Sequence, residues 1–127
     1  MASGKYSFTV EQGTTTEFEI VWADSAGAPV NLTDYGAKMQ IRSDYGSAST
    51  LYGFLSSSID ADGTGLNMNG TGGSKPLSSG SIGLVISAAS SSAFSFNEAR
   101  YDLELISGSN VTRLIEGKIR LSKEVTI

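Results

Sequence analysis

Arg100-Tyr101-Asp102-Leu103-Glu104-Leu105-Ile106, then Ser107-Gly108-Ser109-Asn110, then Val111-Thr112-Arg113-Leu114-Ile115-Glu116-Gly117-Lys118-Ile119-Arg120-Leu121, is the stretch that decides the fold. In its first run Tyr101, Leu103 and Leu105 alternate with Asp102 and Glu104. A period of two is what a strand with one dry face and one wet face requires, because successive side chains point to opposite sides. Gly108-Ser109-Asn110 supplies residues suited to a tight reversal, so the two runs form a hairpin. In the second run Ile115, Gly117, Ile119 and Leu121 share one face, and Glu116, Lys118 and Arg120 the other. Gly117 stands among large inward neighbours, where a glycine weakens a strand unless a close approach requires it. The pattern predicts that something packs over Gly117, with the ring of Trp22 or Tyr101 as the expected occupant.

The same alternation extends outward from the hairpin. Tyr6, Phe8 and Val10 define a first strand, and Phe18, Ile20 and Trp22 a second. Asp24 to Pro29 is a turn-rich connection. Met39 and Ile41 alternate with Lys38, Gln40 and Arg42 in a third strand, and Leu51 to Leu55 makes a fourth. From Asp60 to Gly80 the pattern fails: six glycines and a proline accompany only Leu66, Met68 and Leu77 as apolar anchors. That composition predicts a flexible Gly/Ser-rich loop over about residues 60–80, with one weak strand near Gly65 to Asn69. Ile82 to Ile86 restores the pattern, and Ser87 to Phe94 reads as a helical turn or a loop. The whole is one all-β domain over residues 1–127, of about seven to eight antiparallel strands spaced as in a β-sandwich. A closed barrel is the rival architecture.

Composition removes most chemistry. The 127 residues include no cysteine and no histidine, which excludes disulfides, thiolate nucleophiles and imidazole bases. The nine Lys and Arg are scattered singly and the net charge is −4, so the phosphate backbone of a nucleic acid finds no clustered counterpart. No run is apolar and long enough to cross a membrane. Met1 to Tyr6 lacks the apolar core of a secretory signal, which predicts a protein made in a cytosol and not exported by a signal of its own.

The remaining candidate sites read as structural. Asp60-Ala61-Asp62-Gly63 resembles the opening of a calcium loop, but Thr71 stands where the closing bidentate Glu is needed, so no metal is expected. Glu17, Glu19, Asp102, Glu104 and Glu116 alternate with apolar residues, as on solvated strand faces, and not as a glycosidase pair. The glycines from Gly63 to Gly73 lack the Lys-Ser/Thr that follows them in a phosphate cradle. The sequons at Asn31, Asn69 and Asn110 are turn residues. Trp22 reads as core. Tyr45 and Tyr52, beside the least regular region, are the candidates for partner contact. No catalytic residue and no cofactor is expected, and the chain reads as a non-enzyme.

Tyr101 to Leu105, Val111 to Ile119 and Ser122-Lys123-Glu124-Val125-Thr126 together resemble a recurring ending of small virion proteins of tailed bacteriophages. Tyr6 to Gly13, Trp22 with Asp24, Val30 to Thr33 and Met39 to Arg42 are similar in style to their N-terminal halves. The resemblance spans nearly the whole chain except residues 43–80. It implies an immunoglobulin-like β-sandwich in the phage particle, homo-oligomeric, bound to other virion proteins, and of the type that forms tail or baseplate collars and helps anchor fibres. A capsid decoration protein is the alternative, and a carbohydrate-binding β-sandwich module is a third.

Overall fold

The computed structural model describes residues 4–44, 46 and 48–125. Its strands are β1 (Gly4–Lys5), β2 (Phe8–Glu11), β3 (Thr16–Val21), β4 (Gly36–Arg42), β5 (Leu51–Ser56), β6 (Gly65–Asn67), β7 (Ser81–Ile86), β8 (Glu98–Ser107) and β9 (Asn110–Ser122). A single turn of 3-10 helix at Leu77–Ser79 precedes β7, and the short helix α1 (Ala88–Ser92) follows it. One sheet runs β9–β8–β4–β5, with β1 and β2 both pairing along the free side of β9; the other is β3–β7–β6.

The hairpin forms as its alternation requires. β8 and β9 pair antiparallel, with Leu103 opposite Ile115 and Tyr101 opposite Gly117. Between Leu103 and Glu104 the register shifts, so that Glu104 faces Arg113 and Leu114 is the extra residue of a bulge. Tyr101, Leu103 and Leu105 point into one core with Met39, Ile41, Leu55 and Ile119, where they meet Leu66, Ile82, Leu84 and Ile86 from the second sheet. Trp22, just beyond β3, packs on the edge of this core with its ring edge-on to Tyr35 at 5.3 Å.

All-β character is therefore plain, but the larger sheet is mixed where the sequence pattern predicts antiparallel strands. β1 and β2 run parallel to β9, with Phe8 opposite Ile119 and Val10 opposite Leu121. Alternation reports which face a residue occupies and is silent on strand direction, so Phe8 and Val10 read identically in either sense.

Gly117 explains how one edge is made of two pieces. A Cβ there would overlap the Tyr6 carbonyl oxygen, so the occupant is the main chain of Tyr6 and not the Trp22 or Tyr101 ring. The N-terminal strand keeps one register along β9 but leaves the ladder at Tyr6-Ser7, where its main chain lies over Gly117. The Tyr6 amide donates to Glu116 O (3.0 Å), and the Lys118 amide donates to Ser7 Oγ (3.1 Å). The Tyr101 hydroxyl donates to the Tyr6 carbonyl. Phe8 stands edge-on between Tyr101 and Phe18, at 5.3 and 4.9 Å.

The segment 60–80 folds back over the second sheet. β7 is buried at Ser81, Ile82, Gly83 and Leu84 in succession, so both of its faces are covered. A Cβ at Gly83 would lie 2.8 Å from Gly70 C and Thr71 N, which places that main chain directly against the outer face. Glu19 of β3 fastens it, accepting from Thr71 N (3.1 Å) and Lys75 Nζ (2.6 Å). Leu77 O accepts from the Leu32 amide at 2.9 Å. The weak strand expected near Gly65 is β6.

Gly117→Val should destabilise the domain by about 1–3 kcal/mol in urea unfolding, because the occupant is main chain and cannot rotate aside. Tyr101→Phe removes only the hydroxyl and should cost about 0.5–1.5 kcal/mol. A valine variant as stable as wild type would mean that Tyr6 does not lie there.

Candidate functional site

Polar side chains converge where the 60–80 segment meets the start of α1. Asp62 Oδ2 accepts from Ser87 Oγ and from Ser90 Oγ, each at 2.7 Å, and Oδ1 accepts from Thr64 N at 3.0 Å. The Thr64 hydroxyl donates to Ser90 Oγ and accepts from the Ser87 amide, both at 3.0 Å. Ser87 caps α1 by accepting from the Ser90 amide at 3.0 Å. The Ser87 hydroxyl, the Thr64 amide and the Ser90 hydroxyl hold the Asp62 carboxyl well below the usual carboxylate range. A carboxylate that accepts from these donors fixes the orientation of both hydroxyls. The cluster is a structural clasp. The calcium-like opening resolves the same way, for both Asp62 oxygens are engaged by protein donors. No group of three or more acidic, His or Cys side chains that could hold a metal ion forms among the described residues.

The outer face of the larger sheet carries the charge. Its ion pairs include Lys5–Glu116 (2.9 Å), Arg113–Asp102 (3.4 Å), Arg100–Asp44 (3.4 Å), Arg113–Glu116 (3.6 Å), Lys118–Glu98 (3.7 Å) and Lys38–Glu104 (4.0 Å). Arg42 is held within its own strand region, donating from Nε to Gln40 Oε1 (2.8 Å) and from Nη1 to Ser49 O (3.0 Å). A shallow open depression over β4 and β8 is lined by Gln40, Arg42, Arg100 and Asp102. The acids expected on wet strand faces, Asp102, Glu104 and Glu116, are here, and each sits beside a base. Exposed pairs of this kind contribute little stability one by one. Together they give a face patterned with both signs.

That face ends at β5, and β5 differs from the other sheet edges. Leu51-Tyr52-Gly53-Phe54-Leu55-Ser56 carries no charge, and Leu51 and Phe54 are 47% and 46% exposed. Of the two expected contact tyrosines, Tyr45 lies outside the described residues. Tyr52 is half-buried with its ring stacked on Phe96 at 4.9 Å, so its ring faces the core. The reason is a bulge: Ile41 pairs with Gly53 but Arg42 pairs with Leu51, leaving Tyr52 as the extra residue. The slip carries Tyr52 inward and Leu51 outward. Phe54, between Gly53 and Leu55 on the alternating strand, is the aromatic that β5 turns outward.

No protein-family model and no curated protein matches the chain.

Asp62 and Glu19 both titrate below their ordinary values, Glu19 because Lys75 and the Thr71 amide bind its carboxylate. A carboxylate depressed by folding contributes stability above its unfolded value, near pH 4, which is lost as the pH falls through the folded value. Below about pH 4 the melting temperature of wild type should therefore drop more steeply than that of Asp62→Asn. At pH 7 the variant should be the less stable of the two. Equal acid slopes would mean that the Asp62 clasp does not form.

Proposed function

We propose that the chain is a non-enzymatic structural subunit of a bacteriophage virion, a homo-oligomeric part of a tail or baseplate collar, built on an immunoglobulin-like sandwich. The observation that carries the assembly reading is the uncharged, open edge at β5 beside a face patterned with both signs. A monomer that lives alone blunts its edges; a subunit leaves one open for its neighbours. The virion and collar parts of the reading rest on the resemblance of the hairpin and of the N-terminal half to phage virion proteins.

Strand order supports the sandwich part. β9–β8–β4–β5 against β3–β7–β6 corresponds to the G-F-C-C′ and B-E-D sheets of a variable-type immunoglobulin domain. The departures are also clear. Trp22 follows β3 and is not on β4, and no cysteine pair joins the sheets. The Tyr101 hydroxyl bonds to Tyr6 on the neighbouring edge, far from it in sequence.

Immunogold labelling of purified particles tests the position. Label at the tail or baseplate is the expected outcome. Label over the capsid would replace the collar by a decoration role. Absence of the protein from washed particles would overturn the virion reading altogether.

A further inference from the structure

We propose that β5 is a self-pairing edge: two copies join antiparallel through it about a two-fold axis, extending the larger sheet continuously across a dimer. This rests on the assembly reading and deepens it by fixing the edge, the partner and the symmetry.

The other edges are guarded. β1 and β2 are kinked at Tyr6-Ser7 and carry Lys5 and Glu11. β3 carries Glu17 and Glu19. β6 is three residues long, with Asn67 close to Gly73 of the folded-back segment. Kinks, charges and shortness are the usual means of preventing strand addition. β5 is six residues long and carries no charge, and its bulge at Tyr52 lies at one end, leaving Gly53 to Ser56 in regular register.

Backbone direction fits the same proposal. The Ser57 amide donates to Ala37 O at 2.9 Å, which fixes that pair as a bonded one in the β4–β5 ladder. Bonded pairs recur at every second residue of an antiparallel ladder. Met39–Leu55 and Ile41–Gly53 are thus the next bonded pairs, and the amide and carbonyl of Phe54 point away from β4. An incoming antiparallel strand would bond there.

A second copy is the occupant that matches. An uncharged strand is best met by an uncharged strand, because a charged one would lose solvation without gaining a partner. Among the described strands the long edge of that kind is β5 itself. With Phe54 opposite Phe54 of the second copy, each Phe54 exchanges both main-chain hydrogen bonds across the axis. Gly53 then lies opposite Leu55 on the inward side, small against large. Both rings meet on the outer face, beside Gln40 of each copy.

Sedimentation of the purified protein over a concentration series should show a reversible dimer. Phe54→Lys sets like charges opposite each other and should sediment as a monomer at concentrations where wild type is dimeric. An unchanged circular dichroism spectrum of this variant would show that the fold is intact, since the side chain is outward. The chain has no cysteine, so Phe54→Cys introduces a unique thiol. Bonded antiparallel pairs hold Cα atoms about 5.5 Å apart, within disulfide range. Mild oxidation should therefore convert Phe54→Cys to a covalent dimer much faster than Glu17→Cys, on the guarded β3 edge. A protein monomeric at every concentration, a dimer insensitive to Phe54→Lys, or equal cross-linking at both positions would overturn the proposal. Particle labelling is independent of all three, so failure here and failure of the virion reading are separable.

Discussion

Tyr6 presents its carbonyl to a point where β9 has no side chain, and the first sheet is organised around that contact. Without the space at Gly117 the N-terminal strand could not keep one register from Gly4–Lys5 opposite Ile115 and Glu116 to Phe8–Glu11 opposite Ile119 to Ser122 while Tyr6 leaves the ladder between them. That register brings Phe8 between Tyr101 and Phe18, one aromatic from each sheet. The Tyr101 hydroxyl, carried on a ring that fills the core, satisfies the carbonyl, and burial pushes that hydroxyl's ionisation upward. A glycine that lowers strand propensity is retained because the alternative is a clash with main chain. The same device recurs at Gly83, where the absent side chain admits the Gly70-Thr71 main chain over the second sheet.

Much of this is legible in the residues, and the parts that are not have a common cause. Alternation marks faces, so Tyr101, Leu103, Leu105, Met39, Ile41 and Ile119 are assignable as inward from the sequence alone, and all six are buried in the common core. Direction is invisible to alternation, so the parallel edge of β1 and β2 leaves no trace in the pattern. Bulges are equally hidden, since one extra residue changes no composition but exchanges the faces beyond it. That is why the strand pattern places Tyr52 on the same face as Phe54, whereas the bulge turns it inward onto Phe96. Gly117 announces a close approach, yet glycine cannot say whether a ring or a carbonyl comes near.

The segment 60–80 shows how polar contacts hold a stretch that periodicity cannot describe. Its apolar anchors are few, but Leu66 is fully buried and joins the common core. Between the anchors the work is done by carboxylates: Asp62 gathers two hydroxyls and an amide, and Glu19 gathers an amide and an ammonium. Such bonds depend on partners far away in sequence, 25 and 28 residues for the hydroxyls on Asp62 and 52 and 56 for the donors on Glu19. No local motif encodes them. The carboxylate of Asp62, which resembles part of an ion site, is thus explained by Ser87 and Ser90, residues that composition alone assigns to a bland serine-rich turn.

An open edge carries a hazard that its surroundings must limit. Unpaired backbone groups on a neutral strand will accept almost any extended segment, and a chain left with two such edges could polymerise without end. Here the other edges are kinked, charged or short, and a two-fold pairing of β5 consumes the edge on both copies at once. Closed symmetry therefore turns the hazard into a stop: after the dimer forms, that sheet has no free edge except the guarded ones. The paired bases and acids of the outer face then become one surface twice as wide, with Lys38 and Arg42 of each copy flanking the seam. Further contacts of such a dimer would be made through that charged face, where orientation depends on matching signs and not on unsatisfied main chain. In this arrangement the uncharged strand sets how two copies join, and the charged strands beside it select what the pair can bind.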